Sequence, residues 1–142
     1  MIQFTTSRKP SPKTRRFAKT LATFLSVPYI TRGKSNLDYD ETWMVVVEDH
    51  GNPQGLVRRD RRGEKTLRFT ISAERNMSPT KREMPVVTGD SNMAKAIAEF
   101  LDLDYDPKSK AIRLINVKKG GITEFIDSGT NIVKLKIHEG TS

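Results

Sequence analysis

Cysteine is absent from the 142 residues, which excludes a disulfide framework, thiolate zinc sites and a cysteine nucleophile. Histidine occurs only as His50 and His138. Neither has a partner nearby in sequence, so neither a zinc site nor a Ser-His-Asp triad is expected. No apolar run approaches the roughly 20 residues needed to cross a bilayer, and the opening Met-Ile-Gln-Phe-Thr-Thr lacks the apolar stretch of a signal peptide. The expectation is a cytoplasmic protein. Aromatic residues make up 7% of the chain, too few for an extended base-stacking platform. No P-loop is present, because Lys118-Lys-Gly-Gly121 lacks the required order of glycine, lysine and hydroxyl residue. Asp102-Leu-Asp-Tyr-Asp106 opens like a calcium loop, but Pro107 stands where that loop needs glycine and Arg113 where it needs glutamate. It reads as an acidic loop after a helix. No cofactor and no metal are expected.

What the chain has in excess is positive charge. Lys and Arg number 25 against 17 Asp and Glu, a formal +8, which favours a polyanionic partner. The excess is local. Residues 1–75 carry 15 basic and 8 acidic side chains, and residues 76–142 carry 10 and 9. No acid occurs before Asp38.

The chain also echoes itself. Phe17-Ala-Lys-Thr-Leu-Ala-Thr-Phe-Leu-Ser-Val-Pro-Tyr29 aligns without gaps on Met93-Ala-Lys-Ala-Ile-Ala-Glu-Phe-Leu-Asp-Leu-Asp-Tyr105. Identities fall at Ala18/Ala94, Lys19/Lys95, Ala22/Ala98, Phe24/Phe100, Leu25/Leu101 and Tyr29/Tyr105. The flanks repeat as well. In the first half Ile2–Thr6 reads as a strand, and Ser11 and Pro12 as the cap and first residue of a helix. Phe17, Leu21, Phe24 and Leu25 mark one face of that helix, and Pro28 stops it. Strands are expected at Trp43–Glu48 (buried on both faces), Leu56–Arg61 and around Leu67, Phe69 and Ile71, with turns at Gly51–Gly55 and Arg62–Lys65. In the second half a strand at Pro85–Thr88 precedes a helix capped by Asp90 or Ser91 and running to about Leu103. Strands at Ala111–Val117, Ile122–Ile126 and Ile132–His138 follow. In the last, Val133, Leu135 and Ile137 alternate with Lys134, Lys136 and His138.

These patterns predict a single α/β (α+β) domain over 1–142, made of two similar strand-helix-strand-meander halves, 1–75 basic and 76–142 near neutral. Neither half is large enough to bury a core alone, so the two should share one.

On the first helix, Arg15 and Lys19 lie nearly opposite Phe17, with Arg16 beside them. Arg8 and Lys9 precede the helix and Lys13 opens it, where free backbone N–H groups also favour anions. The matching face of the second helix, with Ser91, Lys95, Glu99 and Asp102, is mixed in sign. A cationic face on one copy alone suits a phosphate backbone. Arg58-Arg-Asp-Arg-Arg-Gly63 adds Arg58, Arg59, Arg61 and Arg62 at the end of a hairpin. They either grip phosphates or guard an edge strand against aggregation. Arg32 and Lys34 follow the short extended piece Tyr29–Thr31. Trp43 and the paired Tyr29 and Tyr105 fit packing better than base recognition.

Thr5-Thr-Ser-Arg-Lys-Pro-Ser11, the basic amphipathic helix and Tyr29-Ile-Thr-Arg-Gly33 together resemble the opening of a Brix-domain protein of the short archaeal type. Gly55-Leu and Leu67-Arg-Phe-Thr-Ile-Ser72 match more weakly. The resemblance implies a ribosome-biogenesis factor that binds ribosomal RNA or its precursor, with Arg8, Lys9, Arg15 and Arg32 among the contacting residues. It also implies two halves that each resemble the anticodon-binding domain of class II aminoacyl-tRNA synthetases. Other assembly proteins could be partners, and a monomer is expected. Two alternatives remain: a protein-interaction scaffold whose charge serves solubility, and a metal-dependent nuclease using Asp38, Asp40 and Glu41.

Overall fold

In chain order, the computed structural model contains β1 (Ile2–Thr6), α1 (Pro12–Leu25), β2 (Thr42–Asp49), β3 (Asn52–Asp60), β4 (Gly63–Glu74), β5 (Val86–Thr88), α2 (Asn92–Leu101), β6 (Arg113–Val117), β7 (Ile122–Asp127) and β8 (Thr130–Ile137). It describes residues 2–31, 40–75, 83–89 and 91–138. Local chemistry sets most boundaries. The Ser11 side chain accepts from the Thr14 N–H, and that of Ser91 from the Ala94 N–H. Both helices stop by the same device, a residue in the left-handed region. Ser26 ends α1 ahead of Pro28, and Asp102 ends α2 at Leu101, short of the expected Leu103. The reversal after β2 is tighter than the expected five-residue turn. His50 and Gly51 both take positive φ, and β3 already begins at Asn52, the geometry of a two-residue hairpin. The next hairpin turns at Arg61 and Arg62 instead of Arg62–Lys65, with Asp60 paired to Gly63.

All eight strands form one sheet in the order β1-β2-β3-β4-β8-β7-β6-β5. Within each group of four, the first strand lies parallel to the second and the rest are antiparallel. The two groups meet last strand to last strand, with Phe69 opposite Ile137 and Ile71 opposite Leu135. The order is that of a two-fold axis between β4 and β8. The outer strands do not end as bare edges. Tyr29 bridges to Phe4 in β1, and Tyr105 to Val87 in β5.

Both helices contribute to one buried cluster on one face of this sheet, with Phe4, Met44, Val46, Leu56, Phe69, Val87, Ile115, Phe125 and Leu135 beneath them. Each helix reaches past its own strands. The Phe24 ring of α1 meets Phe125 of β7 edge-on at 5.3 Å. The Arg113 guanidinium of β6, 2% exposed, donates to the carbonyls of Thr23 and Phe24 at the end of α1. In the other direction, Arg58 of β3 donates to the Phe100 carbonyl at 2.6 Å and forks onto both carboxylate oxygens of Asp102 at the end of α2. Each half thus satisfies the orphan carbonyls of the other's helix.

The packing is unequal. Phe17 stacks on Phe69 with centroids 5.5 Å apart. The corresponding Met93 and Ile137 are smaller, and they line a groove of about 740 Å³ between α2 and the β3–β4 hairpin. On the opposite side of the sheet no described helix packs. There Trp43 and Val45 form a small separate cluster with Val47 and Val57, so Trp43 is buried but stands outside the main core.

Candidate nucleic-acid interface

The first turn of α1 lies over the end of β2, and this placement decides what the helix N-terminus can do. Glu48 accepts hydrogen bonds from the Ser11 N–H, the Ser11 hydroxyl at 2.9 Å and the Thr14 hydroxyl. The Thr14 hydroxyl, followed by the Ser11 groups, holds this carboxyl below the usual carboxylate range against the opposing effect of burial. The helix end expected to attract a phosphate therefore already holds an anion supplied by the protein. This contact joins residues 37 positions apart, and nothing local in the sequence announces it.

The outward face of α1 is different. Arg15, Arg16 and Lys19 are all exposed, while Phe17 and Ala18 between them and Leu21 just beyond are buried. Arg8 and Lys9 are exposed in the bend before the helix, and Lys9 takes a left-handed conformation that carries the chain into the cap. Lys13 is exposed and donates to the Asn52 side chain at 3.0 Å. Among the described residues one carboxylate approaches the outer face of the helix itself. Glu74 of β4 lies 3.8 Å from Arg16, too loose a contact to neutralise a half-exposed guanidinium. Burial raises the pKa of Glu74, and Arg16 and Lys13 oppose that shift. Lys19 is not purely a solvent group. Its ammonium lies 5.7 Å from the centre of the Tyr29 ring, and Lys95 lies 5.9 Å from Tyr105 in the same arrangement.

The four arginines of the hairpin do not act together. Residue alternation sends Arg58 to the helix-covered face, where Asp102, Asp60 and the Phe100 carbonyl hold it. Arg59 goes to the opposite face and donates to Glu64 at 2.7 Å. Arg61 donates to Asp40 at 2.5 Å, with both side chains largely exposed, and Arg62 is exposed at the turn. The strand is also interior, between β2 and β4, so the edge-guarding reading does not apply. Arg32, Lys34 and Asp38 fall outside the described residues. Asp40 faces Arg61, and Glu41 accepts from the Gln3 amide. Among the described residues no group of three or more His, Cys, Asp or Glu side chains could hold a metal ion. None of the described helices is long and apolar enough to cross a membrane.

No family model matches the chain. A probable Brix domain-containing ribosomal biogenesis protein of Methanosarcina mazei is 34% identical over 148 aligned positions, covering 94% of each chain. One of the same description from Archaeoglobus fulgidus is 47% identical over 78 positions, about half of each chain. Among solved structures, an archaeal Imp4-like protein called Mil superposes with a TM-score of 0.78 at 29% identity, covering 98% of this chain and 97% of Mil. A probable ribosomal biogenesis protein from Aeropyrum pernix shares the fold, with a TM-score of 0.68 at 22% identity and coverage of 96% and 93%.

Proposed function

The chain belongs to the Brix-domain family of ribosomal biogenesis proteins, and on that premise we propose that it assists ribosome assembly by binding ribosomal RNA or its precursor, without itself catalysing a reaction. The outer face of α1 is the contact surface, with Arg15, Arg16 and Lys19 at its centre and Arg8, Lys9 and Lys13 leading into it. Arg61 and Arg62, exposed at the turn of the β3–β4 hairpin, lie at the other end of β3 from the Gly51 turn that Ser11 contacts and would make a separate contact. Arg58 is assigned to the fold instead, because its guanidinium is committed to the end of α2.

The observation that carries this reading is the alternation on α1. Three cations point outward between fully buried core residues, and Glu74 is the one carboxylate ion-paired to them among the described residues. Phosphate contacts of this kind draw affinity from counterion release and fix position more than sequence. The test is binding of a ribosomal RNA fragment over a salt series. Replacing Arg15 and Arg16 with Glu should weaken binding by about tenfold or more and flatten the dependence of log affinity on log salt by about 0.7–0.9 for each phosphate no longer neutralised. Circular dichroism should be unchanged. A variant that binds with wild-type affinity and slope defeats the proposal. Capture of protein partners that persists at high salt, without RNA binding, would favour the scaffold alternative.

A further inference from the structure

The side of the sheet away from both helices carries a second concentration of positive charge, and it crosses the boundary between the halves. Register identifies its members. Thr70 of β4 stands opposite Lys136 of β8, which stands opposite Ile122 of β7 on its other side. Lys134, two residues away on β8, is opposite Glu124. Arg68 lies two residues from Thr70 on the same face, and the Thr70 hydroxyl meets the His138 ring at 2.7 Å. Lys118 reaches this face through its contact with Glu124 at 2.9 Å. The core residues Phe69, Phe125, Val133, Leu135 and Ile137 alternate with these and point the other way.

A solvated sheet face is polar by default, but it need not be of one sign. Here Arg59, Arg68, Lys118, Lys134 and Lys136 face Glu64 and Glu124; Arg59 engages Glu64, and Lys118, Asn131 and the charge of Lys134 act on Glu124, so the basic side chains outnumber the acids they meet. Lys134 and Lys136 are about 7 Å apart along the strand, with Arg68 on the neighbouring strand, so a single backbone could touch several of them. Among the described residues the large aromatic on this side is Trp43, and at 7% exposed it offers no stacking platform.

We infer that this face is a second RNA backbone surface, so that one molecule holds two RNA segments at once, one on α1 and one on the open face of the sheet. The inference rests on the RNA-binding reading of α1. The two surfaces are separated by the sheet and one helix layer, about 20 Å by ordinary packing distances. A protein with opposed cationic faces lowers the repulsion between two folded RNA segments and brings them together, which is a bridging activity distinct from simple occupancy of one site.

The experiment uses the full chain and two short RNA duplexes, one carrying a donor dye and the other an acceptor. Wild-type protein should produce energy transfer that rises and then falls as protein passes equivalence. Replacing Lys134 and Lys136 with Glu should leave binding of a single duplex within about threefold, because α1 is untouched, while lowering transfer by about tenfold. Replacing both with Arg should preserve transfer. Wild-type transfer in the Glu variant, including transfer produced by two copies each using α1, overturns the inference. If Arg15→Glu with Arg16→Glu leaves single-duplex binding intact and the sheet variant abolishes it, the α1 reading fails while the sheet surface stands. If neither variant changes single-duplex binding or transfer, both readings fall.

Discussion

A carboxylate beneath the first turn of α1 shows how one residue can reverse a local expectation. Ser11 and Pro12 announce the start of a helix, and the open N–H groups there invite an anion. Glu48 meets that demand from β2. Its pKa is lowered in the folded protein, first by the Thr14 hydroxyl, so its contribution to stability is present above the ordinary carboxylate range and is lost as pH falls through the folded value. Glu48→Gln should cost about 1–2 kcal/mol near neutral pH. It should also flatten the acid limb of stability, measured as the urea midpoint against pH. An unchanged acid limb would place the origin of acid lability elsewhere. Arg16 and Arg15 separate in a related way. Glu74 is half-buried beside Arg16 with a raised pKa, so Arg16→Glu sets two carboxylates together and disturbs the surface around them as well as removing a cation. Arg15→Glu alone is the cleaner probe of RNA contact. The exposure of Arg15, Arg16 and Lys19 is legible from a 3.6-residue period. The Glu48 contact is not, because it depends on which strand end passes under the helix.

At the scale of elements, the order of strands and helices is readable because each carries its own periodicity, and Ile2–Thr6 has the bounds expected of it. The ends are less so. Pro28 is a stronger stop signal on paper than Ser26, yet Ser26 in the left-handed region closes α1 first, donating its N–H to the Ala22 and Thr23 carbonyls. The arginine-rich hairpin reads as one surface because adjacent arginines look alike in sequence. Strand alternation sends Arg58 and Arg59 to opposite faces and gives Arg58 a structural duty. Arg113 carries no local hint of its role, since it follows a polar loop. Its side chain is 2% exposed and faces Asp127, while that of Arg58 is 16% exposed and faces an Asp102 that is 55% exposed. Arg113→Met should therefore cost about 3 kcal/mol or more, by leaving the half-buried Asp127 carboxylate without its counter-charge and the end of α1 without its donor. Arg58→Met should cost clearly less. Equal losses in urea denaturation would mean that burial does not set the value of these clasps.

The whole molecule is one sheet closed around a pseudo-two-fold seam, and the seam is where sequence reading stops. The repeat can be seen in Phe17–Tyr29 and Met93–Tyr105, but the β4–β8 pairing joins Phe69 to Ile137, and a register between distant strands has no local signature. The consequence can be tested. The helix that carries the proposed RNA face leans on the second half through Phe24 against Phe125 and through the Arg113 clasp. Residues 1–75 alone would leave that apolar end of α1 and the last strand of their sheet uncovered, and apolar area of this kind supplies most of the folding free energy in small domains. Neither 1–75 nor 76–142 in isolation should then unfold cooperatively in urea, and 1–75 should bind the dye ANS. Mixing the two should restore a single cooperative transition, because the interlocking contacts re-form between chains. RNA affinity should return with that transition even though the outward cations of α1 all lie in the first fragment. If 1–75 by itself unfolds cooperatively and binds RNA as the intact chain does, the clasped seam is an accessory to an independent domain.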